Sequence, residues 1–178
     1  HASTVAVSSG ASLNLLNNDA VTKDGGGFYL TESTRLDVTG DGTEVLVEKN
    51  TANTGKGGGV AIVLASSVTV SSGATLNVQY NKATNGYGGG MFASHASQML
   101  VSSGASMNVR NNKAMSSYGV GGGIYLRFVN THLRVTGDGT KVVVDDNTAQ
   151  VYGGGVYMYS SATVTVSSGA SLDVLNNK

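Results

Sequence analysis

Catalysis in this chain would have to rest on carboxylates, because among 178 residues there is no cysteine and there are three histidines and eleven Asp or Glu. The densest acidic group is Asp37, Asp41, Glu44 and Glu48. Carboxylates grouped in this way act as general acid, base or nucleophile in polysaccharide cleavage, commonly beside a bound cation and a basic residue. The counterpart of the group reads Arg134, Asp138, Lys141 and Asp145, so only part of it recurs. Asp41 and Asp138 each stand between two glycines in Thr-Gly-Asp-Gly, where aspartate supports a turn; a weak Ca2+ site is the alternative. His1, His95 and His132 lack metal-ligand spacing and are expected at the surface. Ser-Ser-Gly recurs without a base beside it, and the glycine runs lack the Lys-Ser/Thr of a phosphate loop. The expectation is no catalytic residue, no metal and no cofactor.

The residues are instead framed by a repeat. Gly25-Gly26-Gly27 returns at 57–59, 88–90, 121–123 and 153–155, in steps of 32, 31, 33 and 32 residues, each time before an apolar run. A period in this range marks stacked units. Glycine is required there either because φ is positive or because neighbouring backbones approach closely. Within the first unit, Thr4-Val5-Ala6-Val7 and Ser12-Leu13-Asn14-Leu15 alternate at period 2 around a Ser-Ser-Gly turn, and Phe28-Tyr29-Leu30 follows the triplet. Three short strands separated by three turn signals fit one coil of a parallel β-helix. Coils are expected near 1–32, 33–65, 66–96, 97–129, 130–160 and 161–178, about five and a half in all. Right-handed winding follows from the usual chirality of parallel crossovers.

A second anchor fixes the alignment. An apolar residue stands three places before Asn18, Asn50, Asn81, Asn112, Asn147 and Asn177, and Ala follows the first five two places later. Stacked about 4.8 Å apart, these side chains form a turn ladder in which each amide donates to the next. A ligand-binding role is the alternative for that column. The third glycines, Gly27, Gly59, Gly90, Gly123 and Gly155, are assigned a structural role.

The outward positions of the strand after the triplet read Tyr29, Ala61, Phe92, Tyr125 and Tyr157. Such an aromatic ladder stabilises adjacent strands, or else presents Tyr29, Phe92, Tyr125 and Tyr157 as a contact surface. A flat threonine array for ice binding is not present, since the first strand's outward column reads Ala6, Asp37, Thr69, Leu100, Arg134 and Thr165. A longer period also exists: Thr-Gly-Asp-Gly recurs with Val38 and Val135 97 residues apart, as if three coils were duplicated together.

Composition narrows the function. There are 26 Gly, no Pro, no Trp and 12% charged residues, with a formal net charge of zero. A neutral chain lacks the electrostatic footprint of a nucleic-acid binder or a polybasic membrane anchor. No stretch reaches the roughly 18 apolar residues of a spanning helix.

Gly-Gly-Gly followed by Phe, Val, Met or Ile, together with apolar-x-x-Asn, resembles the paired repeats of the chlamydial polymorphic membrane proteins, Gly-Gly-Ala-(Ile/Leu/Val) and Phe-x-x-Asn. The resemblance covers nearly the whole chain. It implies the β-helical passenger of an autotransporter adhesin, with the adhesive motifs falling on Gly25 to Phe28, Asn18 and their counterparts.

The sequence thus predicts an all-β, parallel β-helix segment excerpted from a longer array. Its expected function is structural, in an extracellular surface fibre or adhesin stalk. Expected partners are neighbouring fibre subunits, or a host or cell-surface protein or glycan, without nucleic acid or a membrane span. A polysaccharide-active lyase, hydrolase or epimerase is the alternative.

Overall fold

A computed structural model describes residues 2–178 of the chain. It is a parallel β-solenoid whose described residues contain no helix. The first sheet stacks Thr4–Ser8, Arg35–Thr39, Ser67–Ser71, Gln98–Ser102, His132–Thr136 and Thr163–Ser167 in that order. The second stacks Ser12–Leu16, Glu44–Glu48, Thr75–Gln79, Ser106–Arg110, Lys141–Asp145 and Ser171–Leu175. Every pairing in both is parallel, so the chain makes a circuit and returns beside itself.

Register follows from the alternation. Val5, Leu36, Val68, Met99, Leu133 and Val164 face one another across consecutive pairs, as do Leu13, Val45, Leu76, Met107, Val142 and Leu172. A slip of one residue would turn each such column outward, so the apolar period itself selects the pairing. These columns merge into one core that runs through the coils, and its middle members are wholly buried. Each buried side chain contributes about 1.5–3 kcal/mol, which a coil obtains only when a neighbour covers its open edge.

The strand after the glycine triplet builds another sheet from Phe28–Leu30, Val60–Ile62, Met91–Ser94, Ile124–Arg127 and Val156–Tyr159. The expected three strands per coil need correction. A fourth sheet of two-residue strands, Asp19–Ala20, Thr51–Ala52, Lys82–Ala83, Lys113–Ala114 and Thr148–Ala149, follows the ladder asparagines, where the sequence reading places no strand. Two residues are too few to display a period of two. The alanine turns inward, where Ala52, Ala83 and Ala114 are completely buried.

Corners are made by residues in the left-handed region. Ser72 and Gly73 have φ of 55° and 77°, and the Ala74 N–H closes the turn on the Ser71 carbonyl at 3.2 Å. Two successive positive φ values are what a type I′ turn needs, and they explain Ser-Ser-Gly. A single left-handed residue, such as Lys49, Tyr80 or Asn111, precedes each ladder asparagine it serves.

Candidate functional site

The asparagine column is a continuous hydrogen-bond ladder. Asn50 donates its backbone N–H and its Nδ2 to Oδ1 of Asn81, at 2.9 and 3.0 Å, and Asn81 repeats both bonds to Asn112. Asn18 bonds likewise to Asn50, Asn112 to Asn147, and Asn147 to Asn177. The remaining Nδ2 hydrogen of Asn81 goes to the Val47 carbonyl of the preceding coil at 2.9 Å. The buried asparagines Asn50, Asn81, Asn112 and Asn147 therefore have their amide hydrogens committed inside the protein.

This ladder explains one of the three glycines. A Cβ on Gly90 would lie 2.8 Å from Asn112 Nδ2 and 2.7 Å from the Gly123 carbonyl oxygen; the same approach holds at Gly27, Gly59 and Gly123, and toward the asparagine at Gly155. The first glycine of each triplet answers to the other cause, with φ between 61° and 69°. Both reasons for glycine operate, and at the first position they coincide, since a Cβ on Gly25 would also collide with the Phe28 carbonyl oxygen.

The acidic candidates are drawn apart. Asp37 lies on the first sheet and pairs with Arg35 at 3.4 Å, whereas Glu44 and Glu48 lie on the second. Glu44 accepts from Asn77 Nδ2 at 2.7 Å, and Glu48 pairs with Lys49 at 3.3 Å. Asp41 and Asp138 occupy their turns with Oδ1 directly over Gly73 and Gly169 of the following coil, in the space a Cβ would take. Among the described residues no group of three or more His, Asp or Glu could hold a metal ion. His95 packs against the Phe128 ring at 4.7 Å, and His132 meets the Thr163 hydroxyl; His1 lies outside the described residues.

The aromatic column is in register, with Tyr29 beside Ala61, Ala61 beside Phe92, Phe92 beside Tyr125 and Tyr125 beside Tyr157. As a free surface, however, it needs correction. Phe92 is 2% exposed and Tyr125 5%, and together with Ala61, Val63 and Val120 they form a second core outside the solenoid wall. Tyr157 is half-buried, and only Tyr29 of the four is exposed. The cover comes from residues just before the triplets: the carbonyls of Lys56, Tyr87, Val120 and Tyr152 each accept from the first glycine of the preceding triplet, and Asp24 Oδ1 accepts from the Lys56 N–H. Lys56 Nζ lies 5.2 Å from the Phe92 ring centre, and the Tyr87 ring meets Tyr125 edge-on at 5.7 Å. Tyr29, in the first coil, is 46% exposed.

What this second core leaves open is a hollow of about 250 Å3 over coils four and five. Tyr87, Tyr125 and Tyr157 form its floor, Tyr118, Tyr152 and Tyr159 its rim, and Arg127 its one cation. Tyr152 stacks on Tyr157 at 6.1 Å and 17°. Burial pushes the Tyr125 phenol above its ordinary value, with the Arg127 guanidinium pulling the other way. The sequence reading missed this arrangement, although the column before the triplets, apolar or aromatic in coils three to five, was its available signal.

Comparisons with family models, curated proteins and solved structures found no match. No helix among the described residues is long and apolar enough to cross a membrane.

Proposed function

We propose that this chain is a structural segment of an extracellular repeat protein, in a surface fibre or an adhesin stalk. Its polar exterior and its partly covered aromatic side meet neighbouring fibre subunits, or a host or cell-surface protein or glycan. The observation that carries this reading is where the polar chemistry goes: the buried asparagines join one coil to the next, and the carboxylates with partners engage neighbouring side chains. Such a chain holds its surface groups at a fixed repeat of about 4.8 Å along a rod. The resemblance to the chlamydial repeats supports display outside the cell.

Negative-stain imaging of the native full-length protein tests the reading. Long regular filaments or cell-bound stalks are expected; scattered globular particles would contradict it. Polysaccharide cleavage that is lost in Asp41→Asn or Glu44→Gln would replace the scaffold with an enzyme.

A further inference from the structure

We propose that the tyrosine hollow binds one carboxylate-bearing sugar residue of an acidic glycan, with Arg127 gripping the carboxylate and tyrosine rings lying against the sugar. The assignment rests on taking the aromatic side as a contact face and names what it contacts.

Arg127 ends the strand Ile124–Arg127 and sits beside Tyr159 of the next coil. Its guanidinium carbon lies 4.2 Å from the Phe128 ring centre and 5.7 Å from that of Tyr159. Nε is buried and meets no acceptor among the described residues, and Arg127 makes no salt bridge among them. The terminal Nη groups are the part of the guanidinium open to a ligand in the hollow, and a planar carboxylate can take two parallel bonds from them. Lys56, over Phe92 on the same side two coils earlier, likewise has no carboxylate partner. This side thus carries two cations without a carboxylate partner among the described residues, beside the one carboxylate of Asp24.

The walls decide between acidic ligands. The hollow, about 250 Å3, is smaller than common drug-sized sites and suits a single ring. A pyranose has an apolar C–H face to set against Tyr152 or Tyr118 and hydroxyls to exchange bonds with their phenols. An acidic peptide side chain would satisfy Arg127 but brings no ring to the tyrosines. Tyr118 and Tyr152 are 73% and 63% exposed, so the rim is open to such a ligand.

Calorimetric titration of the 178-residue chain with trigalacturonate, 3′-sialyllactose and neutral galactotriose is the test. Binding of at least one carboxylated probe is expected, with galactotriose about tenfold weaker or worse; which acid binds separates a uronate from a sialate source. Arg127→Gln and Tyr152→Ala should each weaken it about tenfold while keeping the wild-type circular dichroism, and Tyr80→Ala, an exposed tyrosine outside the hollow, should not. Tyr152, 63% exposed on the rim, keeps the test valid even if the Arg127 variant misfolds. Failure of both acids to bind, equal binding of galactotriose, or wild-type affinity in Tyr152→Ala would overturn the assignment. Mass spectrometry of the same mixtures separates the two readings, since a shortened probe would defeat the scaffold itself, whereas unbound, intact probe defeats only the glycan.

Discussion

Asn81 shows how much one side chain carries. It accepts two bonds from Asn50 and gives one each to Val47 and Asn112, all in the interior. In Asn81→Ala the Asn50 backbone N–H and the Val47 carbonyl lose buried partners, and a loss of about 2–4 kcal/mol is expected in urea unfolding. Asn18→Ala, at an exposed rung whose side chain accepts from no described residue, should cost about 1 kcal/mol. Tyr125 makes a claim about pH. Its folded pKa is raised by burial, so above about pH 10 the unfolded chain releases this proton first and stability falls as pH rises. Tyr125→Phe keeps the ring and should flatten that alkaline loss in thermal melts from pH 8 to 11. A variant that declines as steeply as the wild type would put the effect elsewhere.

Among the elements, the glycine strand and the asparagine corner form one device. Gly90→Ala would push a methyl group against a carbonyl of the next coil and against Asn112, neither free to move without breaking the ladder. About 3 kcal/mol of destabilisation is expected. Gly10→Ala is the contrast: at φ 77° a Cβ would make only an ordinary contact, 3.9 Å from the Asp41 carbonyl oxygen, so the cost is about 1 kcal/mol of left-handed strain. Chemical denaturation of the two variants should separate them by about 2 kcal/mol.

The same elements show what sequence can and cannot reveal. Val5, Leu36 and Val68 alternate with polar neighbours, and apolar-x-x-Asn recurs, so columns and rungs were legible from period alone. The Ala52, Ala83 and Ala114 strands were not, because a two-residue strand has no period. The burial of Phe92 and Tyr125 was hidden for another reason: it depends on Lys56, Tyr87 and Val120 reaching over a neighbouring coil, at a spacing no single strand displays. Arg127 stood in a strand as one basic residue, and only the fold sets it among tyrosines from coils three, four and five.

For the whole molecule, the core, the ladder and the second core all run along one axis, so distance in space should count coils and not residues. Chains of this kind gain stability from nearest-neighbour contacts between coils. The absence of cysteine allows spin labels to be placed at chosen pairs. Ala6, Thr69, Arg134 and Thr165 belong to one outward column of the first sheet, with Thr69, Arg134 and Thr165 two, four and five coils from Ala6. Pulsed electron–electron distance measurement between a label at Ala6→Cys and one at each of the others is the most direct test. Stacked coils require separations increasing to about 10, 19 and 24 Å, in proportion to coil number at about 4.8 Å per step. Separations that fail to increase along this series would contradict the rod.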